Sequence, residues 1–298
     1  MAVIEARDLT KRYGSARGVD DLTFDVEEGS IFGFLGPNGA GKSTTIRTIL
    51  DFLRPTSGSV SVFGLDSRRG SVEIHRRTGY LPGDLELFPY LTGQEHLDVF
   101  ARARGGVRAE AVDAIVDRFG IEMDRRVSEL SKGNRQKVGL LLAFAHEPEL
   151  LVLDEPTSGL DPLMQQQFHE LLRETAAAGR TVLLSSHSLD EVQRVATRVA
   201  LVREGRLVVT DTIANLQAQV PVTIDITFDG PVDASTFAVL PGVHASQAGP
   251  ETVQLQVVGS VDPVVKAAAA HTSRSIVARP ADLEELFLRF YTEGDDGR

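Results

Sequence analysis

The sequence contains no cysteine and no tryptophan, and it has no long apolar run. The absence of cysteine excludes disulfide bonds, thiolate metal sites and a cysteine nucleophile. The longest apolar run is the eight residues 138–145, whereas a helix that spans a bilayer needs about 20. We therefore expect no membrane span, and the charges within residues 1–8 do not fit a signal peptide. We expect a cytoplasmic protein.

Basic residues are also few. The 298 residues include 31 Lys and Arg against 42 Asp and Glu, which gives a net charge of −11. Because a protein that binds mainly nucleic acid needs a basic surface, this balance argues against nucleic acid as a partner. The 42% hydrophobic and 24% charged residues are ordinary for a globular protein. At roughly 150 residues per domain, the length predicts about two domains.

The first part of the chain alternates short apolar runs with longer helical patterns. Such runs between helices are typical of parallel strands buried on both faces, so we predict an α/β core over residues 1–220. The predicted strands are 31–35, 150–153, 181–185 and 199–202. The stretch 84–145 has a helical pattern and is predicted to be a helical insertion into this core.

The pattern changes at Pro221. Residues 222–228 and 252–258 alternate strictly between apolar and polar, which predicts strands with one face in water. With weaker strands at 243–247 and 275–278 and helices at 233–240 and 261–271, the order is β-α-β-β-α-β. This order predicts a small ferredoxin-like α+β domain over residues 221–298. A last predicted helix, 281–291, carries an apolar stripe that we interpret as core of this domain, with a dimer contact as the alternative: Leu283, Leu286, Phe287 and Phe290.

Residues 36–43 read Gly-Pro-Asn-Gly-Ala-Gly-Lys-Ser and fit the pattern G-x-x-x-x-G-K-[ST]. The glycines let backbone N–H groups turn toward phosphate oxygens, and the N-terminus of the following helix adds positive potential. Lys42 is predicted to reach the β- and γ-phosphates, and Ser43 to hold Mg²⁺. A chance match in a loop is the alternative, but the preceding strand and following helix favour a nucleotide site.

Residues 150–155 consist of four apolar residues followed by Asp154 and Glu155. A buried strand that ends in a carboxylate is suited to bring Asp154 to Mg²⁺, and Glu155 is suited to deprotonate an attacking water. Alone, this pattern more often marks a strand that ends at the surface. The phosphate-loop pattern in the same chain favours the functional interpretation.

Residues 130–137, Leu-Ser-Lys-Gly-Asn-Arg-Gln-Lys, resemble the signature sequence of ABC-type ATPases. The usual pattern of that family is Leu-Ser-Gly-Gly-Gln, so Ser131 and Gly133 match while Lys132 and Asn134 differ. Other marks of the family follow in order. Tyr13 resembles its adenine-stacking aromatic residue, Asp161 ends a D-loop-like run at 158–161, and His187 resembles its switch histidine. The resemblance covers residues 1–215, and six motifs in order make coincidence implausible.

The resemblance implies a P-loop ABC-type ATPase fold with a helical subdomain, and it implies ATP and Mg²⁺ as cofactors. By this resemblance the catalytic residues are Lys42, Glu155 and His187, and the metal ligands are Ser43 and Asp154. The implied nucleotide-binding residues are Tyr13, Gly36, Pro37, Asn38, Gly39, Ala40, Gly41, Lys42, Ser43, Thr44, Ser131, Gly133, Asn134 and Asp161.

In this family two copies bind ATP between them, which implies a homodimer or a pair with a paralogous ATPase. Ser131, Gly133 and Asp161 would then serve the nucleotide held by the second copy. Each mark also has an ordinary interpretation. Tyr13 and His187 taken singly are consistent with simple packing, and Ser131 is also predicted to cap a helix.

Residues 131–137 and the ending 283–288 resemble ATPase subunits of drug and antibiotic exporters that work with a separate membrane permease. This implies a peripheral protein on the cytoplasmic face of the cell membrane. The alternative is a soluble ABC-type ATPase acting on ribosomes or DNA. Such proteins usually carry two cassettes or long coiled-coil insertions, and neither is present. A P-loop kinase or GTPase is disfavoured by the signature and by the lack of an Asn-Lys-x-Asp motif.

One departure from the family concerns its metal site. Where the family commonly has a Gln that contacts Mg²⁺ and the attacking water, this sequence has Gly83, followed by Asp84. Water or Asp84 would have to take the place of that side chain. Two roles for Asp84 remain open, direct Mg²⁺ ligation and contact with the membrane partner.

Overall fold

A computed structural model describes residues 1–14 and 16–279, together with Leu283 and Phe287. The chain divides into two compact units, Met1–Asp211 and a second unit that begins at Thr212. The division precedes the boundary predicted at Pro221 because the short helix α8, Ile213–Gln219, belongs to the second unit.

The first unit is built on a six-stranded sheet with the order β10-β9-β3-β8-β7-β6. Neighbours from β9 to β6 pair in parallel, and every residue of β3, β7 and β8 is buried. The four predicted strands are therefore confirmed as a parallel sheet. The strands are β3 Ile31–Leu35, β6 Thr78–Leu81, β7 Leu150–Asp154, β8 Thr181–Ser186, β9 Arg198–Arg203 and β10 Arg206–Thr212.

A second sheet, with the order β2-β1-β4-β5, lies in the same unit. Sequence analysis did not identify its strands, because bulges interrupt the pairing of β1 with β2 and break the regular alternation. Phe24 of β2 packs against Phe32 and Phe34 of β3, with ring centroids 5.8 and 5.3 Å apart, so both sheets share one core. The strands are β1 Ala2–Tyr13, β2 Ala16–Glu27, β4 Ser57–Val62 and β5 Leu65–Asp66.

Three helices of the first unit form the predicted insertion, but residues 82–92 are not helical. The insertion's helices begin at Gly93, where Thr92 and Glu95 form a capping box that favours a helix start. Helix α1 ends at Ile49, and Asp51 beyond it has a φ of 56° in the left-handed region. The helices are α1 Lys42–Ile49, α2 Ser71–Arg77, α3 Gly93–Arg104, α4 Ala109–Phe119, α5 Lys132–Phe144, α6 Pro162–Ala177 and α7 Leu189–Val195.

The second unit has the predicted β-α-β-β-α-β order after α8. Its sheet has the order β12-β13-β11-β14 with antiparallel neighbours, the arrangement of a ferredoxin-like sandwich. One face of the sheet packs its apolar side chains against both helices. The elements are β11 Val222–Phe228, α9 Ser235–Ala238, β12 Val243–Gly249, β13 Thr252–Val257, α10 Asp262–Ala268 and β14 Ser273–Arg279.

The predicted helix 281–291 lies outside the described residues except for Leu283 and Phe287, which are both buried. Among the described residues, no helix has the length and apolar character needed to span a membrane.

Candidate functional site

The loop between β3 and α1 is a tight turn that carries the phosphate-loop pattern. Gly39 and Gly41 have φ values of 80° and 104°, a left-handed conformation that favours glycine. A Cβ on Gly41 would lie 2.6 Å from Val19 Cγ1, so this position also has no room for a side chain. The first turn of α1, which follows directly, leaves its N–H groups without intrahelical partners. The loop therefore has the geometry of an anion-binding site.

Lys42 is the first residue of α1, and its side chain is buried. Its Nζ donates to the carbonyl oxygens of Gly36 at 2.6 Å and Pro37 at 3.3 Å. The ammonium group is thus folded back over the loop that precedes it. This places a positive charge inside the phosphate-binding turn.

Asp154 ends β7 and is almost fully buried. Its Oδ1 accepts a short hydrogen bond from the Ser185 hydroxyl of the neighbouring strand β8. Its Oδ2 is buried and has no hydrogen-bond partner among the described residues. A buried carboxylate oxygen without a partner, together with the Ser43 hydroxyl at the start of α1, fits a hard divalent cation such as Mg²⁺.

Glu155 follows Asp154 in a left-handed conformation, with a φ of 49°. Its backbone N–H lies 3.2 Å from Ser185 Oγ, so one hydroxyl holds both carboxylate residues. Its side chain lies between two functional groups. Oε1 is 3.1 Å from Lys42 Nζ, and Oε2 is 2.7 Å from His187 Nδ1. The structure therefore brings together the three residues that the resemblance assigned to catalysis.

Two clefts adjoin this cluster. A cleft of about 850 Å³ is lined by Asn38, Ser43, Glu155 and His187 among others. A smaller one, of about 240 Å³, is lined by the loop glycines, Thr44 and the half-exposed Tyr13. Tyr13 and the phosphate loop thus face one cavity, as adenine stacking requires.

Gly18 also lines the smaller cleft and was missed by the sequence analysis. A Cβ at this position would lie 2.9 Å from the Tyr13 ring and 3.2 Å from Thr44 Cγ2. Gly18 therefore allows the ring and the start of α1 to approach each other closely. A glycine within a strand often marks a close approach of this kind, but the strand that contains Gly18 was not predicted, so the sequence carried no usable signal.

The signature-like residues lie apart from this cluster. Ser131 caps α5 by accepting the Asn134 N–H at 3.2 Å, and Asp161 caps α6 by accepting the Met164 N–H at 2.9 Å. Asn134 also donates to Glu122 at 2.7 Å. Of the described residues that line the larger cleft, Lys132 comes from the signature, whereas Ser131, Gly133, Asn134 and Asp161 are not among them.

The start of α5 is joined to the loop that follows Glu155. Gln136 donates to the Pro156 carbonyl at 2.8 Å, and Lys132 Nζ donates to Ser158 Oγ at 3.0 Å. A Cβ on Gly133 would lie 2.6 Å from the Gly159 carbonyl oxygen, so the two backbones touch. We call these three contacts the α5 junction. Lys132, a departure from the family pattern, is one of its members.

The Gly83 position lies beside Asp154. A Cβ there would be 3.4 Å from Asp154 Oδ2, so a longer side chain would point at the predicted metal site. Asp84, the next residue, also lines the larger cleft. Its side chain is 92% exposed and lies 3.6 Å from Arg47 Nη2. This placement favours contact with a partner over Mg²⁺ ligation.

Glu191 of α7 is a further carboxyl group of the larger cleft that the sequence analysis missed. Burial raises the pKa of Glu191 above its usual range, and the negative charge of Glu155 acts in the same direction. The neighbouring hydroxyl groups of Ser186 and Thr157 act against this increase. The pattern S-x-x-E at 188–191 gave a signal for a helix cap but none for burial.

Comparison with known proteins gives consistent findings. Residues 19–158 match the family model described as ABC transporter. The chain is 39% identical over 211 residues to the bacitracin transport ATP-binding protein BcrA of Bacillus licheniformis, covering 69% of this chain and 68% of that protein. It is 34% identical over 297 residues to the Nod factor export ATP-binding protein I of Burkholderia pseudomallei, covering 97% of each. A solved structure described as the ATP binding subunit of an ABC transporter is similar with a TM-score of 0.67 and 33% identity, over 72% of this chain and 92% of that one.

Proposed function

Because this chain belongs to the ABC transporter ATP-binding protein family and is an ATPase of that type, we propose that it powers a membrane exporter. The exported compounds would be drugs, antibiotics or other small amphipathic molecules. The observation that carries the ATPase part of the proposal is the position of Glu155, whose two carboxylate oxygens contact Lys42 and His187. The names of the bacitracin and Nod factor relatives support export as the process that is driven.

In the proposed mechanism the loop 36–43 binds the ATP phosphates through its backbone N–H groups, and Lys42 adds positive charge near the γ-phosphate. Tyr13 stacks on the adenine. Phosphoryl transfer depends mainly on such positioning and charge stabilisation. The buried position of Lys42 strengthens its effect, because a charge shielded from water acts more strongly on its neighbours.

Asp154 and Ser43 would hold Mg²⁺, which neutralises phosphate charge when bound. Glu155 acts as the general base for the attacking water. The His187 Nδ1–H donates to Glu155 Oε2 and thereby fixes the direction of that carboxylate. Ser185 positions both acids, since its hydroxyl contacts Asp154 and the Glu155 N–H.

We propose that the working form is a homodimer in which each copy supplies its signature to the other copy's nucleotide. Ser131 and Asp161 are helix caps that lie outside the larger cleft of their own chain, which agrees with a role toward a second copy. The N-terminus of α5 presents positive potential, as a phosphate partner requires. Closure of the dimer on ATP and its opening after hydrolysis would drive a separate integral permease from the cytoplasmic face of the membrane.

Copurification tests the transport role. The tagged chain, expressed at its native level, is purified from detergent-solubilised membranes, and the Lys42→Ala variant serves as the matched control for ATP-dependent association. We expect a stoichiometric multi-span membrane protein. Cofractionation with ribosomes or DNA and no membrane partner would overturn the proposal in favour of a non-transport ATPase.

A further inference from the structure

The backbone on both sides of His187 is held by one hydroxyl group. Ser186, the last residue of β8, accepts the N–H of Ser188 at 3.0 Å through its Oγ. The same hydroxyl donates to Glu191 Oε2. These two bonds join the residue before His187 to the residue after it and to the first turn of α7. We call this arrangement the Ser186–Glu191 clamp.

His187 itself has little packing to hold it. Its side chain is 61% exposed, and its contact with Glu155 Oε2 is 2.7 Å long. An exposed ring on a loop retains rotational freedom unless its backbone is fixed. The direction in which His187 points therefore depends on the clamp.

The alternative explanation for Glu191 is that it forms a capping box with Ser188 at the start of α7. In such a box the Glu at the third helical position accepts the N–H of the cap residue directly. Here Ser188 accepts the Glu191 N–H at 3.4 Å, as a box requires, but the Ser188 N–H is taken by Ser186. The Glu191 carboxyl thus reaches past its own helix to the end of β8.

A simple cap would also remain in water. Glu191, by contrast, is only 7% exposed, and it is one of the residues that line the cleft with Glu155 and His187. Burying a carboxyl group is unfavourable unless hydrogen bonds compensate. The Ser186 hydroxyl supplies that bond for Oε2, whereas Oε1 is buried without a hydrogen-bond partner among the described residues. This hydrogen bond ties the buried carboxyl to the end of β8, directly before His187.

We propose that Glu191 is a positioning residue for ATP hydrolysis, which acts through Ser186 to fix the backbone around His187 and to aim its imidazole at Glu155. The inference rests on the role proposed above for His187. It does not require Glu191 to touch the nucleotide. Replacing Glu191 should therefore lower the rate of turnover and leave the affinity for ATP unchanged.

Four variants test this in steady-state and single-turnover ATPase assays. Glu191→Ala and Ser186→Ala should each lower kcat by about tenfold or more, because small misplacements of a catalytic group have effects of this size. The KM for ATP should stay within about twofold of wild type. Glu191→Gln keeps an oxygen that accepts the Ser186 hydrogen bond and should retain most of the activity. Asp190→Ala is the control, since Asp190 is an exposed acid of the same helix and the same cleft.

A double-mutant cycle separates positioning from general damage. If Glu191 acts through His187, then adding Glu191→Ala to His187→Ala should lower the single-turnover rate no further. An additive loss would overturn the inference, and so would an unchanged kcat in Glu191→Ala when His187→Ala is nearly inactive. If Glu191→Ala does not fold, as judged by its melting temperature, Ser186→Ala breaks the same clamp and decides the question. An active His187→Ala would instead overturn the role proposed for His187.

Discussion

Lys42 Nζ lies 3.1 Å from Glu155 Oε1, so the cation of the phosphate loop and the carboxylate after β7 meet directly. The two residues come from different elements and are far apart in the sequence. They meet because β3 and β7 both pair with β8, which brings their carboxyl ends to the same edge of the sheet. Despite this contact the two residues have different proposed roles, so their variants should affect different steps.

Glu155→Gln should retain ATP binding and lose steady turnover, because the amide keeps the shape of the site but cannot act as a base. The variant should accumulate an ATP-bound dimer that is visible by size-exclusion chromatography. Lys42→Ala is the contrasting variant, since it removes a phosphate partner and should weaken nucleotide binding itself. Near-normal turnover in Glu155→Gln would contradict the role assigned to Glu155.

Ser131 should act on the nucleotide of the second copy. Mixing Ser131→Arg chains with Lys42→Ala chains leaves one site of each mixed dimer with two intact halves. We expect partial recovery of ATPase activity from two nearly inactive proteins. A double variant with both changes, mixed with Lys42→Ala chains, cannot rebuild a site and is the control. If the first mixture is as inactive as this control, the shared-site arrangement is wrong.

Asp84→Ala should leave the Mg²⁺ dependence of ATP hydrolysis unchanged. Asp84 is exposed and faces Arg47, whereas a metal ligand would have to face Asp154. We expect loss of stimulation by the permease instead, measured as ATPase activity with and without the reconstituted partner. Glu86→Ala, an exposed acid two residues later, is the control. A marked rise in the Mg²⁺ requirement of Asp84→Ala would restore the ligation role.

Residues 1–220 alone should bind ATP. The cluster of Lys42, Glu155 and His187 lies in the first unit, and the second unit has an apolar core of its own. The truncated protein should show weaker dimerisation or altered regulation, measured by isothermal titration and by light scattering. Loss of nucleotide binding in a folded truncation would show that the second unit is needed for the site.

Stability should decline in mildly acidic solution because of His146. Burial, with the nearby Arg104 charge, lowers the pKa of His146 from 6.5 to about 4. The unfolded chain therefore takes up a proton as the pH falls below about 6.5, while the folded chain does so only near 4, and stability is lost across this window. Since His146 is partly exposed, we expect a loss on the order of 1–2 kcal/mol.

Urea unfolding of wild type and His146→Leu between pH 7 and pH 4.5 measures this loss. The variant should have the shallower pH dependence, because it lacks the group that must be charged. His244→Leu, which replaces an exposed histidine, should follow wild type. Parallel curves for wild type and His146→Leu would rule out His146 as the cause.

The sequence alone predicted the parallel strands and the phosphate loop, because continuous apolar runs and a glycine pattern are local signals. It did not predict β1 and β2, whose bulges break the two-residue period. It also did not predict Gly18 or Glu191. Their importance depends on close approach and burial between segments distant in sequence, and no local pattern reports such contacts.

The α5 junction has a mechanical consequence. Pro156, Ser158 and Gly159 lie just beyond Glu155, and α5 rests on them through one buried hydrogen bond, one ammonium group and a contact between two backbones. Where Gly133 contacts Gly159 there is no space even for a methyl group between the two backbones. A shift of the segment that follows Glu155 would therefore move the start of α5 directly, because no side chain lies between the two backbones. In the proposed dimer, the nucleotide state of one copy would then reach the second copy as a displacement of α5. The two nucleotides would not need to contact each other.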